Sequence, residues 1–296
     1  MLAEGRRSLF GLGADEFASI VEAVVPRRPD DAEPVMLRTG IKPIDVICPL
    51  VAGGTLALAG EMAAGTTVVM QELVHRLQAG PHKLTIFAFL PAPGPEWPPA
   101  LEPGYSLAAE LRKEAGHEGT VGAVQTFFLA TGEGGWTPEK LAMLTPVDSV
   151  IRLSRARGRA MVYPTIVPAD SRSRLLLANP KGPHARLAAR VCEALAGLWD
   201  SNGARQLDEL AYRRALKLQN YFTQPFETTV AFTGRPGTTV APDEALQTCR
   251  DILDGRYDHL PVEDFFFSGG MEEILSNHGR ALKFGPVDPK AGSAAA

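Results

Sequence analysis

The pattern of hydrophobic and polar positions changes along the chain, from strand-like runs to helical periodicity. Short apolar runs at residues 54–61, 83–90 and 121–129 have the length of buried strands. Residues 67–80, between the first two runs, carry apolar side chains at helical spacing and end at a glycine. This order of strand, glycine-containing turn, helix and strand predicts a parallel sheet, with a ligand site at the carboxyl ends of its strands.

Helical periodicity dominates the last third of the chain. Residues 183–200, 207–222, 242–255 and 269–282 repeat apolar positions at the spacing of an amphipathic helix. We therefore predict an α/β protein in which a parallel-sheet core precedes a helical domain. The predicted divisions are an N-terminal extension and linker over 1–33, a reduced nucleotide-binding-like core over 34–182, a helical C-terminal domain over 183–285 and a flexible tail over 286–296.

Composition and charge exclude several classes of protein. The 296 residues are 45% hydrophobic and 22% charged, as in soluble globular proteins, and no apolar run is long enough to cross a bilayer. A formal net charge of -4 offers no general attraction to nucleic acid or to anionic lipid. The three cysteines are widely spaced and the N-terminus has no secretory pattern, so we expect a cytoplasmic protein without disulfides or structural zinc.

One segment has the pattern of a phosphate-binding loop. Residues 60–67 read Gly-Glu-Met-Ala-Ala-Gly-Thr-Thr, where a P-loop has Gly-x-x-x-x-Gly-Lys-Ser/Thr. Thr66 replaces the lysine and Glu61 adds a negative charge, so we expect the helix N-terminus to attract phosphate only weakly. An ordinary turn is the alternative interpretation. The candidate nucleotide-binding residues are Gly60, Ala64, Gly65, Thr66, Thr67 and Val68, with Thr67 also a weak candidate ligand for magnesium.

The other requirements of phosphoryl transfer are missing from the sequence. That chemistry needs an acidic residue that holds magnesium at the end of an apolar strand and a residue that orients the attacking water. Asp148 precedes its apolar stretch instead of following it, and the second predicted strand runs into six prolines between Pro91 and Pro103. We therefore predict no catalytic residue.

Several stretches, in the same order along the chain, resemble the catalytic (beta) subunit of the rotary ATP synthases. Residues 39–54, TGIKPIDVICPLVAGG, are similar to the segment that precedes the P-loop of that subunit. Residues 149–174, 218–234 and 252–274 resemble later parts of the same subunit. The resemblance implies a reduced RecA-like P-loop core with a parallel sheet and a helical C-terminal domain. It also implies that the family's N-terminal β-barrel and Walker B strand are absent.

The resemblance also implies an adenine pocket. Tyr163 matches the family's adenine-stacking tyrosine, and Phe226 and Phe232 match the aromatic side chains around the base. Thr67 matches the magnesium-binding threonine, whereas the lysine and the water-orienting glutamate have no counterpart. Core packing is the alternative interpretation of the three aromatic residues. A cluster that includes Arg155, Arg172 and Arg174 is a candidate interface or anion site, with solvated surface as the alternative.

The function implied by the resemblance is that of a catalytically inactive pseudo-ATPase with an assembly, scaffolding or regulatory role. Nucleotide binding is expected to be weak at most: the cofactors are ATP or ADP with magnesium, or none. Its expected partners are further copies or ATP synthase-type subunits. Neither nucleic acid nor direct membrane insertion is expected, although a partner complex would place the chain peripherally at the inner face of a membrane. Two alternatives stay open. One is an ATP-binding subunit completed by catalytic groups supplied in trans, and the other is a decaying paralogue without function.

Overall fold

The computed structural model describes a mixed α/β fold over residues 34–77, 83–89, 124–132, 138–142, 144–145, 147–199 and 207–278. The predicted N-terminal extension, proline-rich loop and C-terminal tail lie outside the described residues. The strands are β1 (Met36–Leu37), β2 (Leu50–Val51), β3 (Thr55–Glu61), β4 (Lys83–Phe89), β5 (Val124–Gly132), β6 (Ser149–Leu153) and β7 (Arg172–Ser173).

Helices fill much of the remaining described chain. They are α1 (Lys42–Ile47), α2 (Thr66–Leu77), α3 (Pro138–Ala142), α4 (Arg155–Arg159), α5 (Arg174–Ala178), α6 (Pro183–Leu198), α7 (Glu209–Phe222), α8 (Val230–Thr233), α9 (Pro242–Leu253) and α10 (Met271–Asn277). Short 3₁₀ helices lie at Pro168–Asp170, Glu227–Thr229 and Val262–Phe265. Among the described helices, none is both long and apolar enough to cross a membrane.

The main sheet is mixed, whereas the sequence pattern predicts a parallel one. Its order is β4-β5-β3-β6-β7, and the first four strands are parallel. The edge strand β7 runs antiparallel to β6. Between these two strands the chain already returns against β6, where Leu153 bridges Ile166 in antiparallel fashion.

Strand β3 occupies the centre of this sheet and leads into the predicted loop. It lies between β5 and β6, and the neighbours Leu56 and Ala57, which point to opposite faces, are both completely buried, as expected of a parallel strand covered on both faces. Helix α2 starts five residues after β3 ends and buries Val69 and Leu73. The strand, the loop and the helix therefore occur where the sequence predicts them. The loop lies at the carboxyl ends of the parallel strands.

The C-terminal helices share their hydrophobic core with the first part of the chain. Val191 of α6 and Leu218 of α7 belong to one buried cluster, which also contains Val46 and Ile47 of α1. Conversely, Phe226 belongs to the cluster beneath the sheet. The predicted division after residue 182 therefore does not separate the two hydrophobic clusters.

Helix α7 begins with a capping contact that can be tested by mutation. The Asp208 carboxylate accepts a hydrogen bond from the backbone N–H of Ala211 at 2.8 Å. Replacing Asp208 with alanine leaves this N–H without its partner, and we expect the free energy of unfolding to fall by about 1 kcal/mol. Urea denaturation measures the change. Asp208→Asn, which keeps a capping oxygen, should lose less, and equal losses in both variants would contradict the capping role.

Candidate functional site

The loop between β3 and α2 forms a tight turn with two residues in the left-handed backbone region. The backbone N–H of Ala64 donates to the carbonyl of Glu61 at 3.0 Å. Ala63 has φ of 61° and Gly65 has φ of 91°. Glycine adopts such angles freely, whereas alanine does so at a cost of about 1 kcal/mol. The first N–H groups of α2 have no partner within the helix, so the loop keeps the backbone character of an anion site.

A negative charge is already fixed at the start of this loop. The Glu61 carboxylate accepts hydrogen bonds from the Arg152 guanidinium at 2.5 and 3.4 Å and from the backbone N–H of Arg155 at 3.3 Å. Burial tends to raise the pKa of Glu61, but these hydrogen bonds and the charge of Arg152 hold that pKa below its usual value. Glu61 is therefore ionised at neutral pH, and its charge opposes a phosphate bound at the same end of the loop.

The residue at the lysine position faces inward. Thr66 is only 4% exposed, and its Cγ2 methyl lies 3.0 Å from the position of a Cβ built on Gly60. Thr67 and Val68, by contrast, are exposed. Among the described residues, no group of three His, Cys, Asp or Glu side chains could hold a metal ion. Thr67, the predicted magnesium ligand, therefore has no such group of side chains beside it among the described residues.

A cavity of about 850 Å³ lies against the loop and brings together residues from distant parts of the sequence. The predicted aromatic residues come from the chain after α4, from the segment after α7 and from α8. Of the predicted site residues, Ala64, Gly65, Val68, Arg155, Tyr163, Phe226 and Phe232 line this cavity. Gly60, Thr66, Thr67, Arg172 and Arg174 are not among its lining residues.

The three aromatic side chains differ in exposure. Tyr163 is 40% exposed, and its hydroxyl donates to the carbonyl of Gly158 at 3.0 Å. Phe226 is 5% exposed and packs in the hydrophobic cluster beneath the sheet. Phe232 is 89% exposed at the rim of the cavity. Phe226 therefore contributes to the core as well as to the cavity wall, whereas Phe232 contributes little to folding.

A buried glutamate of α2 holds the segment that carries Phe226 and Phe232. The Glu72 carboxylate accepts hydrogen bonds from the N–H of Glu227 at 3.2 Å and from the N–H and hydroxyl of Thr228 at 3.0 and 2.8 Å. It also accepts one from Arg76 Nε at 2.7 Å. Burial tends to raise the pKa of Glu72, but the donors from Thr228 and Arg76 lower it below its usual value. Glu72 thus couples α2 to the cavity wall.

The predicted arginine cluster is split between the two ends of the sheet. Arg155 lines the cavity at the carboxyl ends of the parallel strands. Arg174 approaches Asp148 at 3.4 Å, and Asp148 also bonds the backbone N–H of Thr55 at the opposite, amino end of β3. Arg172 donates to the carbonyl of Leu144. The antiparallel direction of β7 carries Arg172 and Arg174 away from the cavity.

Other cavity residues were not selected from the sequence as site residues, apart from Arg159, which belongs to the predicted arginine cluster. Arg159 and Arg235 supply further positive charge, while Gln224 and Phe267 complete part of the wall. Arg235 donates to the carbonyl of Phe267 at 3.3 Å. Gln224 lies two positions before Phe226, and Arg235 follows Phe232 by three positions. Proximity to the predicted aromatic residues was the available signal for both.

The wall of the cavity and the loop beside it differ in chemical character. Aromatic and small apolar side chains form much of its described wall, which suits a planar ring. The loop beside it begins with the Glu61 carboxylate, which is paired to Arg152. At the position where a P-loop has its lysine, it carries the buried Thr66. No protein-family model matches the chain.

Proposed function

We propose that this protein is a noncatalytic nucleotide-binding protein of the ATP synthase beta-subunit type. It combines a reduced RecA-like core with a helical C-terminal domain, and it acts in assembly, scaffolding or regulation through association with further copies or related subunits. The observation that carries the proposal is the convergence of the Ala63–Gly65 loop with Tyr163, Phe226 and Phe232 on one cavity. By resemblance, these three side chains are those of the family's base pocket.

Adenine binding is supported by the chemistry of the cavity wall. The cavity volume of about 850 Å³ is large enough for a nucleoside. Tyr163 and Phe232 present exposed ring surface on which a base can stack. Thr165 and Gln224 add polar groups to the wall that can orient the ring edge.

Loss of catalysis is supported by three features of the phosphate end. The lysine position is a buried threonine, and the loop starts with the Glu61 carboxylate paired to Arg152. The described residues that line the cavity include no carboxylate, although P-loop enzymes hold magnesium through an acidic residue. The described site therefore joins a base pocket to a phosphate end that lacks the P-loop lysine and a magnesium-holding carboxylate.

Fluorescently labelled ADP and ATP, titrated with and without magnesium, test the binding part of the proposal. Tyr163→Ala and Phe232→Ala should each weaken binding by about ten- to a hundredfold, because a stacked base is worth roughly 1–3 kcal/mol. Tyr163→Phe keeps the ring and should bind normally. Leu177→Ala is the matched control for Phe232→Ala, because Leu177 is also exposed but does not line the cavity. Unchanged affinity in both alanine variants would refute a base pocket.

Turnover measurements test the noncatalytic part separately. Magnesium-dependent ATP hydrolysis above background that is abolished by Thr67→Ala would overturn it. Activity that appears only with a co-purifying subunit would instead favour catalytic groups supplied in trans. A broad, noncooperative thermal transition that nucleotides do not shift would favour the decaying paralogue.

A further inference from the structure

The charged side chains around the cavity all have the same sign. Among its described lining residues, the charged ones are Arg155, Arg159 and Arg235, and no described carboxylate lines the wall. Arg155 and Arg159 are both exposed, and neither forms an ion pair with a described carboxylate. The cavity therefore presents positive charge that the described part of the chain does not neutralise.

Helix α4 places two of these arginines on one face. Arg155 and Arg159 are four residues apart in a helix, so their side chains are neighbours, and like charges at this spacing are unfavourable. Arg157, between them, points elsewhere: it is 6% exposed and lies over the Trp199 ring at 4.4 Å. Packing thus accounts for Arg157, whereas Arg155 and Arg159 remain directed to the cavity.

The glycine loop, on the other side, is poorly suited to a phosphate chain. Glu61 places a negative charge at its start, and Thr66 is buried at the lysine position. Glu61 is also bonded to the backbone N–H of Arg155, so it lies beside the first residue of α4. A phosphate on the cavity-facing side of α4 would meet arginine forks, whereas one in the loop would meet this carboxylate.

We propose that the cavity takes a nucleoside monophosphate, with the phosphate held by Arg155 and Arg159 instead of by the glycine loop. A phosphate monoester carries a charge of about -1.5 to -2 at neutral pH, which two guanidinium groups balance. A triphosphate would add charge towards Glu61 and would require a magnesium ion that the loop does not help to hold. This inference rests on the proposed nucleotide site and identifies its ligand class.

The test compares adenosine, AMP and ATP by calorimetry on the full chain, with and without magnesium. AMP should bind at least about tenfold more tightly than adenosine, because charge-assisted hydrogen bonds add to the stacking. ATP should bind no more tightly than AMP, and magnesium should not change the AMP affinity. Raising the salt concentration should weaken the binding of AMP but not that of adenosine.

Arginine variants identify the groups that hold the phosphate. Arg155→Ala and Arg159→Ala should each weaken AMP binding by about ten- to a hundredfold, while the affinity for adenosine should change by less than about twofold. Arg159→Lys should restore part of the affinity. Arg186→Ala, an exposed arginine of α6 outside the cavity wall, is the charge-matched control and should change neither ligand.

The outcomes separate this inference from the proposed function. Tighter, magnesium-dependent binding of ATP that the Arg155 and Arg159 variants do not affect would overturn the monophosphate site while the nucleotide pocket stands. Equal binding of adenosine and AMP would do the same. Absence of binding by all three ligands, with the protein folded by circular dichroism, would overturn the proposed function and this inference with it.

Discussion

Replacing Glu72 with alanine is expected to lower the free energy of unfolding by about 3–5 kcal/mol and to abolish the proposed nucleotide binding. Glu72 is completely buried and accepts four hydrogen bonds from Arg76, Glu227 and Thr228. Its removal leaves a largely buried guanidinium without its carboxylate and two backbone N–H groups without acceptors. The segment that carries Phe226 and Phe232 then loses its attachment to α2.

Urea denaturation and an AMP titration measure the two effects. Glu72→Gln keeps an acceptor oxygen but removes the charge, so it should lose less stability than Glu72→Ala and retain some binding. The exposed Glu209→Ala is a control for the loss of a helical glutamate. Normal AMP affinity in Glu72→Ala, or equal stability of Glu72→Ala and Glu209→Ala, would contradict the coupling of α2 to the cavity wall.

The pH dependence of the free energy of unfolding of Glu72→Ala tests the role of this carboxylate independently. The folded-state pKa of Glu72 is below its unfolded value of 4.5, so its contribution is complete above that pH and is lost as the pH falls through the folded pKa. Wild type should therefore lose stability on acidification partly through Glu72. Glu72→Ala should show a shallower loss below pH 4.5, because that titration has been removed.

Local sequence signals sufficed for the elements that surround the loop. The apolar run at 54–61 and the glycine pattern at 60–67 predict a strand, a turn and a helix start, and β3 and α2 lie there. Both signals depend on neighbouring residues: burial on two faces demands a continuous apolar run, and left-handed backbone angles favour glycine. The helical periodicity that begins at Pro183 succeeded for the same reason.

Features that depend on contacts across the chain were outside the reach of such signals. A glutamate in an amphipathic helix is normally solvated, so nothing local marks Glu72 as buried beneath Thr228. The separation of Arg174 from Arg155 follows from the direction of β7, which is set by pairing with β6. The buried Thr66 packs close to Gly60, where an added Cβ would lie 3.0 Å from its methyl group. Each of these features reflects tertiary packing, which overrides local preference.

A second buried charge, Lys42, joins α1 to the chain beside the cavity. Lys42 is completely buried, and its Nζ donates to the carbonyls of Ser268 at 2.6 Å and Gly269 at 3.2 Å. It also lies 4.2 Å from the centre of the Tyr221 ring. Burial lowers the pKa of Lys42 from 10.5 to about 7, even though the charges of Glu273 and Glu244 act to raise it.

The lowered pKa gives stability a definite dependence on pH. Between about pH 7 and 10.5 the unfolded chain binds a proton at Lys42 that the folded chain has released, so the free energy of unfolding rises with pH in this window. Burial also raises the pKa of the Cys48 thiol, which acts with the opposite sign above pH 9. The lowered pKa of His184 acts only below 6.5. Between pH 7 and 8.5 the titration of Lys42 is therefore separated from the titrations of Cys48 and His184.

Lys42→Met is expected to remove about 1–2 kcal/mol of the stability that wild type gains between pH 7 and 8.5, because each pH unit contributes at most about 1.4 kcal/mol per proton. Methionine fills a similar volume without a titrating group, although it leaves the two carbonyls without the ammonium donor. Urea midpoints at four pH values across this range provide the slope for each variant. Lys181→Met, at an exposed lysine, should retain the wild-type slope. An undiminished rise in Lys42→Met would mean that Lys42 stays protonated in the folded chain, with its charge held by the Ser268 and Gly269 carbonyls and the Tyr221 ring.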